Sequence, residues 1–475
     1  MQMTLVGDDT LVPVAGRDPQ PFVNLDCAAS TPPSVRVATA VQEFLPWYAS
    51  VHRGAGAKSQ RSSARYEQAR ETLMRFVGAD PATHVAMFPR NTTEALNIAA
   101  FRLGLRGEDV VVSTVMEHHS NLLPWRRYAR MRYVDVGPDG RFGVDDVVAA
   151  LDQRPAPKVL AISGASNVTG WLPPLGRIAA AAHDRGVLVV VDAAQLAPHR
   201  PLDMTQLGID VLALSGHKMY APFGAGALIG PRRTFDQGEP MLVGGGSVAA
   251  VGFDEVVWAP SPDRDEAGSP NVVGVVALDA AVQELTQRGW ASALAHERAL
   301  VDELDRQLGS VPGLVRYGPG TTRDRLPVAA FNIAGMPHAL VAGRLSHEFG
   351  IGVRSGCFCA HPLIARLLGL DEDEFRQFRR RAQQGDHTLL PGAVRASACL
   401  GTPLAHLEAL GEALRNIAGT PEAASHYTMS DRGEFLPTPS GRGPKAHRVP
   451  LQWRPPQPES TTTAKDPGGR RTVGS

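Results

Sequence analysis

The sequence predicts an α/β protein built on a mainly parallel β-sheet, followed by a smaller α+β unit towards the C-terminus. Two observations favour this fold class. Short apolar runs rich in β-branched residues alternate with helical stretches over residues 84–214, a pattern typical of βαβ units. Apolar residues make up 43% and charged residues 20% of the 475 residues, which is typical of a globular protein that buries a core.

The elements of the first unit follow one another in a regular order. Residues 1–20 show no periodicity and are expected to form a flexible N-terminal arm. A large domain is predicted over residues 21–284, where helices are recognised by apolar residues three and four apart and strands by short β-rich runs. Its predicted elements are Tyr66–Val77 (helix), His84–Phe88 (strand), Asn91–Phe101 (helix), Val110–Val112 (strand), Lys158–Ile162 (strand), Leu175–His183 (helix), Val187–Val191 (strand), Val211–Leu214 (strand) and Pro270–Leu285 (helix).

A smaller domain is predicted over residues 285–420. Its last helix is well marked, because Thr402 can act as N-cap, Pro403 suits the first turn and Gly419 follows its end. Residues 421–475 are dominated by Pro, Gly, Ser, Thr and Arg, so we expect a disordered tail that cannot bury enough apolar surface to fold. The predicted elements of this domain are Val328–Ile333 (strand), Ala339–Phe349 (helix), Ala393–Ala398 (strand) and Pro403–Ile417 (helix).

Charge and hydropathy narrow the classes of partner. The 48 basic residues equal the 48 acidic ones. The net charge is therefore zero, and no overall electrostatic attraction favours the binding of nucleic acid or an anionic membrane. No apolar run approaches the roughly 18 residues of a membrane span. The first twenty residues are acidic and lack a signal-peptide core, which predicts a cytoplasmic location. The four cysteines are expected to be free thiols, and no ligand set with zinc spacing is visible.

Lys218 is the first candidate for chemistry. It ends the string Ser215-Gly-His-Lys218, directly after the apolar strand Val211–Leu214. In parallel sheets ligands bind beyond the carboxyl ends of the strands. A lysine there needs a partner or a lowered pKa, which is the environment of lysines that form Schiff bases. A solvated loop lysine is the alternative.

Polar residues follow the other strands in the same way. Asp192 ends a strand, and a buried carboxylate there can keep the pyridine nitrogen of pyridoxal 5'-phosphate (PLP) protonated, so that the ring stores electrons. Gln195 can donate to the phenolic oxygen of PLP, Asn167 follows another strand, and His118 can stack on the ring. Each also has an ordinary structural explanation: Asp192 as a helix N-cap, His118 as a packed or solvated histidine.

A phosphate site is predicted where a helix begins after the strand His84–Phe88. The string Asn91-Thr-Thr-Glu94 places Thr92 and Thr93 at a helix N-terminus, where backbone N–H groups favour anions. Thr92 or Thr93 can equally be a plain N-cap. Ser215 and His217, on either side of Gly216, can add two further contacts to the phosphate.

These residues occur, in order, within strings that resemble a known family. The chain resembles the class V aminotransferase superfamily of PLP enzymes, and within it the group II cysteine desulfurases and selenocysteine lyases, over residues 22–418. The matching strings are Asn24-Leu-Asp-Cys-Ala-Ala-Ser30, Val51-His-Arg-Gly54, Met116-Glu-His-His-Ser-Asn121 with Pro124-Trp125, Val191-Asp-Ala-Ala-Gln195 with Pro198-His199, Ser215-Gly-His-Lys218, Gly244-Gly-Gly246 and Arg395-Ala-Ser397.

The resemblance implies a PLP-dependent transferase of fold type I, with a seven-stranded sheet in the large domain, and a homodimer that acts on L-cysteine. It implies that Lys218 holds PLP in a Schiff base and moves the Cα proton. Ser269, in Ala267-Gly-Ser-Pro-Asn271, matches a position that reaches the phosphate in the neighbouring subunit. The other implied cofactor-binding residues are His118, Thr92, Thr93, Asn167, Asp192, Gln195, Ser215 and His217.

The string Arg354-Ser-Gly-Cys-Phe-Cys359-Ala-His-Pro bears on the reaction. Cys359 matches the desulfurase cysteine that takes sulfur from the substrate as a persulfide, for later transfer to an acceptor protein. Such a thiol must be exposed and close to a cation that lowers its pKa. Arg354 and Arg395, together with Asn167, are expected to bind the substrate carboxylate, a task that suits planar guanidinium groups.

Two departures from the group II pattern leave alternatives open. Cys357 gives a Cys-Phe-Cys string that also occurs in the related molybdenum cofactor sulfurases, so either thiol can be the nucleophile. The two cysteines can also form a resolving pair, or be small buried hydrophobes. An extra stretch after Pro362 begins with acidic residues 371–374 and continues with the basic run 376–381, which suits a helix dipole. It is either a solvated helix or a docking surface for a sulfur acceptor.

The predicted function is therefore a PLP-dependent cysteine desulfurase that forms L-alanine and a persulfide on Cys359. The first alternative is another class V lyase, epimerase or aminotransferase, in which Cys359 takes no part. The second is an inactive scaffold, against which the presence of Lys218, Asp192 and His118 argues. Whether cysteine, selenocysteine or cysteine sulfinate is the substrate stays open.

Overall fold

The computed structural model describes residues 3–320, 325–386, 388 and 390–438. Its strands are β1 (Leu11–Val14), β2 (Arg17–Pro21), β3 (Val23–Asn24), β4 (His84–Met87), β5 (Val110–Thr114), β6 (Arg130–Val134), β7 (Val159–Ser163), β8 (Leu188–Asp192), β9 (Val211–Ser215), β10 (Gly226–Pro231), β11 (Val248–Val251), β12 (Val256–Trp258), β13 (Leu314–Tyr317), β14 (Val328–Ile333), β15 (Ile351–Gly352), β16 (Arg354–Gly356), β17 (Ala393–Ser397), β18 (Tyr427–Met429) and β19 (Phe435–Pro437). Its helices are α1 (Val35–Phe44), α2 (Ala57–Phe76), α3 (Thr92–Arg102), α4 (Val144–Asp152), α5 (Leu175–His183), α6 (Met204–Leu207), α7 (Arg232–Phe235), α8 (Val272–Arg288), α9 (Trp290–Gly309), α10 (His338–Phe349), α11 (His361–Leu367), α12 (Glu372–Gln383) and α13 (Leu404–Gly419).

A seven-stranded sheet with the order β4-β10-β9-β8-β7-β5-β6 forms the centre of the large domain. Only β10 runs antiparallel to its neighbours in this sheet. Successive residues of a strand face opposite sides, so Leu160 and Ile162 pack in one core while Val159 and Ala161 pack in another. The two buried faces explain why these strands are continuous apolar runs, and the predicted fold class is confirmed.

The smaller domain is built on a four-stranded antiparallel sheet, β13-β14-β17-β16. Its core contains Leu304 of α9, Leu345 of α10 and Leu414 of α13. The register of β16 and β17 places Arg354 directly opposite Arg395. Pairing of these strands therefore brings two guanidinium groups together from distant parts of the sequence. The division of the chain at residue 284 stays a prediction.

The prediction of a flexible arm over residues 1–20 is wrong for the described residues from 3 onward. β1 and β2 pair as an antiparallel hairpin, and the side chains of Met3 and Leu5 are buried. The Met3 N–H donates to the Leu400 carbonyl at 3.3 Å. Because these contacts are made with residues far along the chain, the local sequence pattern did not reveal them.

The prediction of disorder from residue 421 is also wrong for residues 421–438. β18 and β19 form an antiparallel hairpin, and Phe435 is buried in the core of the smaller domain. The Tyr427 hydroxyl donates to Glu348 of α10 at 2.9 Å. A single buried aromatic residue anchors this polar segment. The remainder of the predicted tail, residues 439–475, lies outside the described residues.

The topology brings the ends of several strands together. Strands β4, β5, β7, β8 and β9 all run in the same direction, so their carboxyl ends share one edge of the sheet, where ligands bind in this class of fold. Along this edge follow Thr92, His118, Asn167, Asp192 and Lys218. The sequence predicted this convergence. No helix in the described part of the chain is long and apolar enough to cross a membrane.

Candidate active site

A cavity of about 590 Å3 opens at this edge and extends to the smaller domain. It brings together nearly all of the residues that the sequence singled out. Ser269 lies outside it, exposed in the loop before α8, so its contact with a neighbouring subunit stays a prediction. The residues from the sequence analysis that line the cavity are Thr92, Thr93, His118, Asn167, Asp192, Gln195, Ser215, His217, Lys218, Arg354, Cys357, Cys359 and Arg395.

Lys218 stands where a short 3₁₀ turn, Gly216–Lys218, follows β9. Glycine is required at 216 because a Cβ atom would lie 2.6 Å from the Ala225 carbonyl oxygen. Burial lowers the pKa of Lys218 to about 8, with the charge of Arg395 acting in the same direction and those of Asp192 and Cys359 opposing it. The amine therefore loses its proton far more readily than a solvated lysine.

Asp192 is the last residue of β8, Gln195 lies on the segment that follows, and both line the cavity with Lys218. Asp192 is 5% exposed, and one of its oxygens accepts a hydrogen bond from the Ala194 N–H at 2.9 Å. Burial raises its pKa, and the charge of Lys218 partly offsets this rise. The Gln195 amide donates to the Ala28 carbonyl at 2.6 Å. A buried carboxylate in this position favours a cationic or N–H partner in the cavity.

The N-terminus of α3 presents hydroxyl groups to the cavity. Asn91 is the N-cap, with its side-chain oxygen accepting from the Glu94 N–H at 3.0 Å. The alternative that Thr92 or Thr93 is the cap is therefore wrong. Thr92 instead contacts Ser215, with 2.8 Å between their hydroxyl oxygens. The first turn of α3 and the hydroxyls beside it form an anion cradle.

His118 precedes a 3₁₀ turn and is oriented by the backbone. Its Nδ1 atom accepts a hydrogen bond from the Ser120 N–H at 3.1 Å. Burial lowers its pKa to about 3, with the charge of Lys218 adding to the effect. Burial likewise lowers the pKa of His217 to about 4. Both imidazoles are therefore neutral at physiological pH, and His118 is suited to stack on a flat ring.

Glu117 supports this segment and was not identified from the sequence. It is buried and accepts hydrogen bonds from Thr114 at 2.7 Å, Asn121 at 2.7 Å and Ser163 at 2.6 Å. Burial raises its pKa to about 7, although these donors oppose the rise. Glu117 thus ties the turn after β5 to β7. The only sequence signal was its place beside two histidines.

Asp26 links the two arginines that were expected to bind a substrate carboxylate. One of its oxygens accepts from Arg395 at 3.0 Å and the other from Arg354 at 2.9 Å. Arg395 is 2% exposed in its side chain and Arg354 is 52% exposed. Arg395 also donates to the Asn167 carbonyl at 2.9 Å. That these arginines share one carboxylate could not be predicted from local sequence patterns.

The cysteine loop lies between β16 and α11, at the mouth of the cavity. Cys359 is exposed and Cys357 is half-buried. The Phe358 carbonyl accepts from the Asn167 amide at 2.8 Å, and the Cys359 carbonyl accepts from the His119 N–H at 2.8 Å. The loop is thus held by groups that follow β5 and β7. Cys359 and Lys218 line the same cavity.

A stack of rings supports the outer side of the loop. The rings of His119 and His361 lie 4.9 Å apart, nearly parallel at 16°. The Nε2 atom of His119 accepts from the His361 N–H at 3.2 Å. Phe378 of α12 lies 5.4 Å from the His361 ring. The predicted extra helix therefore exists, begins after an Asp371 N-cap with a capping box and packs against His361, which begins α11 directly after the cysteine loop.

Among the described residues, no cluster of three or more His, Cys, Asp or Glu side chains is arranged to hold a metal ion. The four cysteines all lie in the described part of the chain and form no disulfide. The cavity therefore offers a buried lysine, a buried acid, an anion cradle, two guanidinium groups and an exposed thiol.

Comparison with known proteins places this site in a family. The sequence model of the aminotransferase class-V family matches residues 23–410. The chain belongs to this family. Its enzymes depend on PLP, and the chain lies near the cysteine desulfurases within the superfamily. The resemblance seen in the sequence is thus confirmed.

Relatives with similar sequences are cysteine desulfurases. A cysteine desulfurase of Klebsiella pneumoniae is 38% identical over 358 residues, which cover 73% of this chain and 86% of that protein. A probable cysteine desulfurase 2 of Mycobacterium leprae is 37% identical over 357 residues, covering 72% and 84%. Both alignments span more than two thirds of this chain and of the relative.

Solved structures of cysteine desulfurases also superpose on this chain. The apo structure of a cysteine desulfurase from Thermococcus onnurineus superposes with a TM-score of 0.74 at 30% identity, covering 84% of this chain and 95% of that one. The cysteine desulfurase CsdA of Escherichia coli, in an S-sulfonic acid form, gives a TM-score of 0.72 at 33% identity with the same coverage. Both the order of the elements and their arrangement are therefore shared.

Proposed function

We propose that the protein is a PLP-dependent cysteine desulfurase, which converts L-cysteine to L-alanine and takes the sulfur as a persulfide on Cys359. The names of its relatives support this reaction. One observation carries the proposal: an exposed thiol lies in the same cavity as a lysine with a lowered pKa, and its charge acts on both Lys218 and Arg395. A transaminating enzyme has no use for such a thiol.

The residues of the cavity fit PLP. A volume of about 590 Å3 lies within the range of cofactor pockets. Asp192 would hold the pyridine nitrogen. The phosphate would be held by the N-terminus of α3 together with Thr92, Thr93, Ser215 and His217. His118 would stack on the ring, while Gln195 and Asn167 would contact the phenolic oxygen of PLP. When bound, PLP supplies an electron sink for negative charge at the substrate Cα.

The substrate carboxylate would be bound by Arg354 and Arg395 in place of Asp26. Both guanidinium groups already point at one carboxylate, at 2.9 and 3.0 Å. Exchange of one carboxylate for another keeps the buried charge of Arg395 paired throughout. The planar fork of arginine then fixes the orientation of the amino acid.

Lys218 would move the proton at the substrate Cα. Its pKa of about 8 leaves a substantial neutral fraction near physiological pH, which a general base requires. The charge of Asp192 raises this pKa and the charge of Arg395 lowers it. The two charges together therefore affect how readily Lys218 acts as a base. Lys218 would also return a proton to the product that leaves as L-alanine.

Cys359, rather than Cys357, is the proposed nucleophile. Cys359 is exposed and lines the same cavity as Lys218 and Arg395. Burial raises the pKa of Cys357, so that thiol stays protonated. The Cys359 thiolate would attack the substrate sulfur, the substrate C–S bond would break, and an acceptor protein would later collect the sulfur.

A homodimer is proposed as the working form. The hairpin of β11 and β12 exposes apolar side chains, with Phe253 fully exposed, Val251 65% and Val257 53% exposed. Such a patch is unusual on a monomer and typical of an interface. Ser269 lies in the loop that follows the hairpin and would reach the phosphate of the neighbouring subunit. A cytoplasmic location is proposed with it.

The test is product analysis with L-cysteine and a reductant. Desulfurase activity predicts alanine and sulfide in equal amounts, with visible absorbance from bound PLP. Selenocysteine and cysteine sulfinate, assayed in parallel, define the substrate. Visible absorbance without sulfide would point to another class V reaction, and no visible absorbance after addition of PLP would point to an inactive scaffold.

A further inference from the structure

Two thiols share one tight turn at the mouth of the cavity. The Ala360 N–H donates to the Cys357 carbonyl at 2.9 Å, so Cys357–Ala360 is a four-residue turn. Its two central residues, Phe358 and Cys359, both have a φ of 55°, the pattern of a type I′ turn. Both cysteines line the cavity. One cysteine therefore begins the turn, and the other is its second central residue.

This turn is held in a costly conformation. Neither central residue is glycine, and left-handed backbone in such residues persists only where surrounding contacts enforce it. Asn167 holds the Phe358 carbonyl and His119 holds the Cys359 carbonyl, each at 2.8 Å. These two contacts hold both central residues in the left-handed conformation.

The Cys357 thiol is sheltered but faces Cys359. Cys357 packs against the main apolar core while still lining the cavity. Its pKa is raised by burial and also by the charge of Cys359, whereas hydrogen bonding to backbone, chiefly that of Cys359, opposes the rise. A protonated, inward thiol does not compete for substrate, yet it lies beside the sulfur that would become a persulfide.

We propose that Cys357 is a resolving thiol, which attacks the Sγ atom of the Cys359 persulfide and releases the outer sulfur as hydrosulfide. This inference rests on the proposed function. A bond forms between the two cysteine sulfurs, and the bond from Cys359 Sγ to the outer sulfur breaks. The proton of Cys357 and the bonding electrons leave with the outer sulfur.

The step needs no external oxidant or reductant. The Cys357 sulfur is oxidised from thiol to disulfide level, the outer sulfur is reduced to sulfide, and the Cys359 sulfur keeps its level. Hydrosulfide is a good leaving group in such an exchange. A dithiol reductant then opens the disulfide before the next turnover. Sulfide would thus be released without an acceptor protein.

A single turnover without reductant tests the step. The holoenzyme receives less than one equivalent of L-cysteine per protomer under anaerobic conditions, and alanine, trapped sulfide and the mass of the loop peptide are measured. The parent is expected to release one sulfide per alanine while its loop loses two hydrogen atoms. In Cys357→Ser we expect about tenfold less sulfide per alanine, and a loop that gains one sulfur atom.

Cys399→Ala is the matched control, because it removes a buried thiol outside the cavity, and it should give the same sulfide-to-alanine ratio as the parent. The inference is overturned if the parent loop keeps the added sulfur, whether on Cys359 or on Cys357, or if Cys357→Ser releases as much sulfide per alanine. An absence of alanine would instead overturn the proposed function. The parent measurement decides alone if Cys357→Ser does not fold.

Discussion

At the scale of single residues, burial sets the protonation of the groups around the cavity. It lowers the pKa of Lys218 to about 8, that of His118 to about 3 and that of His217 to about 4, and it raises the pKa of Asp192. Each shift favours the neutral form, as desolvation requires. The two imidazoles are therefore neutral at physiological pH, and a far larger fraction of Lys218 is neutral than of a solvated lysine.

The lowered pKa of Lys218 predicts the pH dependence of PLP capture by the apoprotein. Only the neutral amine attacks an aldehyde, and its fraction grows as pH rises through the pKa. We expect the rate of capture to rise to a plateau with a midpoint near pH 8. Stopped-flow absorbance measures this rate, with Lys218→Ala as the control that forms no link. A midpoint close to pH 10, typical of a solvated lysine, would contradict the burial argument.

Residues that follow strand ends could be predicted from the sequence, because strand direction alone brings them to one edge. Asp26 could not be predicted, since its partner Arg395 lies 369 residues away along the chain. The stack of His119 on His361 was missed for the same reason, as 242 residues separate them. Local patterns carry no information on such pairs.

At the scale of elements, the N-terminus of α3 combines a stabilising helix cap with the proposed phosphate site. The Asn91 side chain caps the helix by accepting from the Glu94 N–H at 3.0 Å. Gly226 allows β10 to approach closely, because a Cβ atom there would lie 2.8 Å from the Asn91 Cα atom. The position of the cradle therefore depends on a cap and a glycine rather than on the threonines.

Asn91→Ala should destabilise the large domain. Loss of an N-cap costs about 1 kcal/mol of the free energy of unfolding, and the affinity for PLP should fall with it, because the cradle loosens. Urea unfolding of the apoprotein and a PLP titration measure the two effects. Asn91→Asp keeps an oxygen acceptor and serves as the control. Unchanged stability in Asn91→Ala would contradict the assignment of the cap.

Helix α12 is expected to restrain the cysteine loop through one aromatic contact. Phe378 lies against His361, so Phe378→Ala should free the loop and increase the alkylation rate of Cys359 several-fold. Arg376→Ala, on the exposed side of the same helix, is the control. Timed alkylation followed by peptide mass analysis gives the rate. Equal rates in the parent and Phe378→Ala would show that α12 does not hold the loop.

The helix α12 was predictable because its charges and its capping box are local features. The two terminal hairpins were not, since β1, β2, β18 and β19 are only three to five residues long. A few buried side chains anchor them, and only the tertiary structure shows where those side chains fit. Composition alone therefore overestimated disorder at both ends.

At the scale of the whole molecule, the site depends on two domains and, in the proposal, on a second copy of the chain. Phe253 is fully exposed at the end of an apolar hairpin, so Phe253→Asp should weaken dimerisation by placing a charge in the interface. Sedimentation velocity measures the effect. Leu11→Asp, at another exposed apolar residue, is the control. An unchanged dimer would exclude this hairpin from the interface.

The domain arrangement also decides which groups meet. Lys218 and Asp192 come from the large sheet, whereas Cys359 and Arg395 come from the smaller domain. The order of motifs along the chain predicted the fold class and most of the cavity. It could not show which of the two cysteines is the nucleophile, because they differ in burial and in their surroundings, which only the tertiary structure shows.

The most direct test of the central claim is the initial rate of alanine formation from L-cysteine, with reductant present, in Cys359→Ala. The variant should bind PLP with unchanged visible absorbance but form alanine at least about a hundredfold more slowly, since the nucleophile is lost. Cys399→Ala, which removes a thiol outside the cavity, should match the parent. Alanine formation at the parental rate in Cys359→Ala would contradict the proposed mechanism.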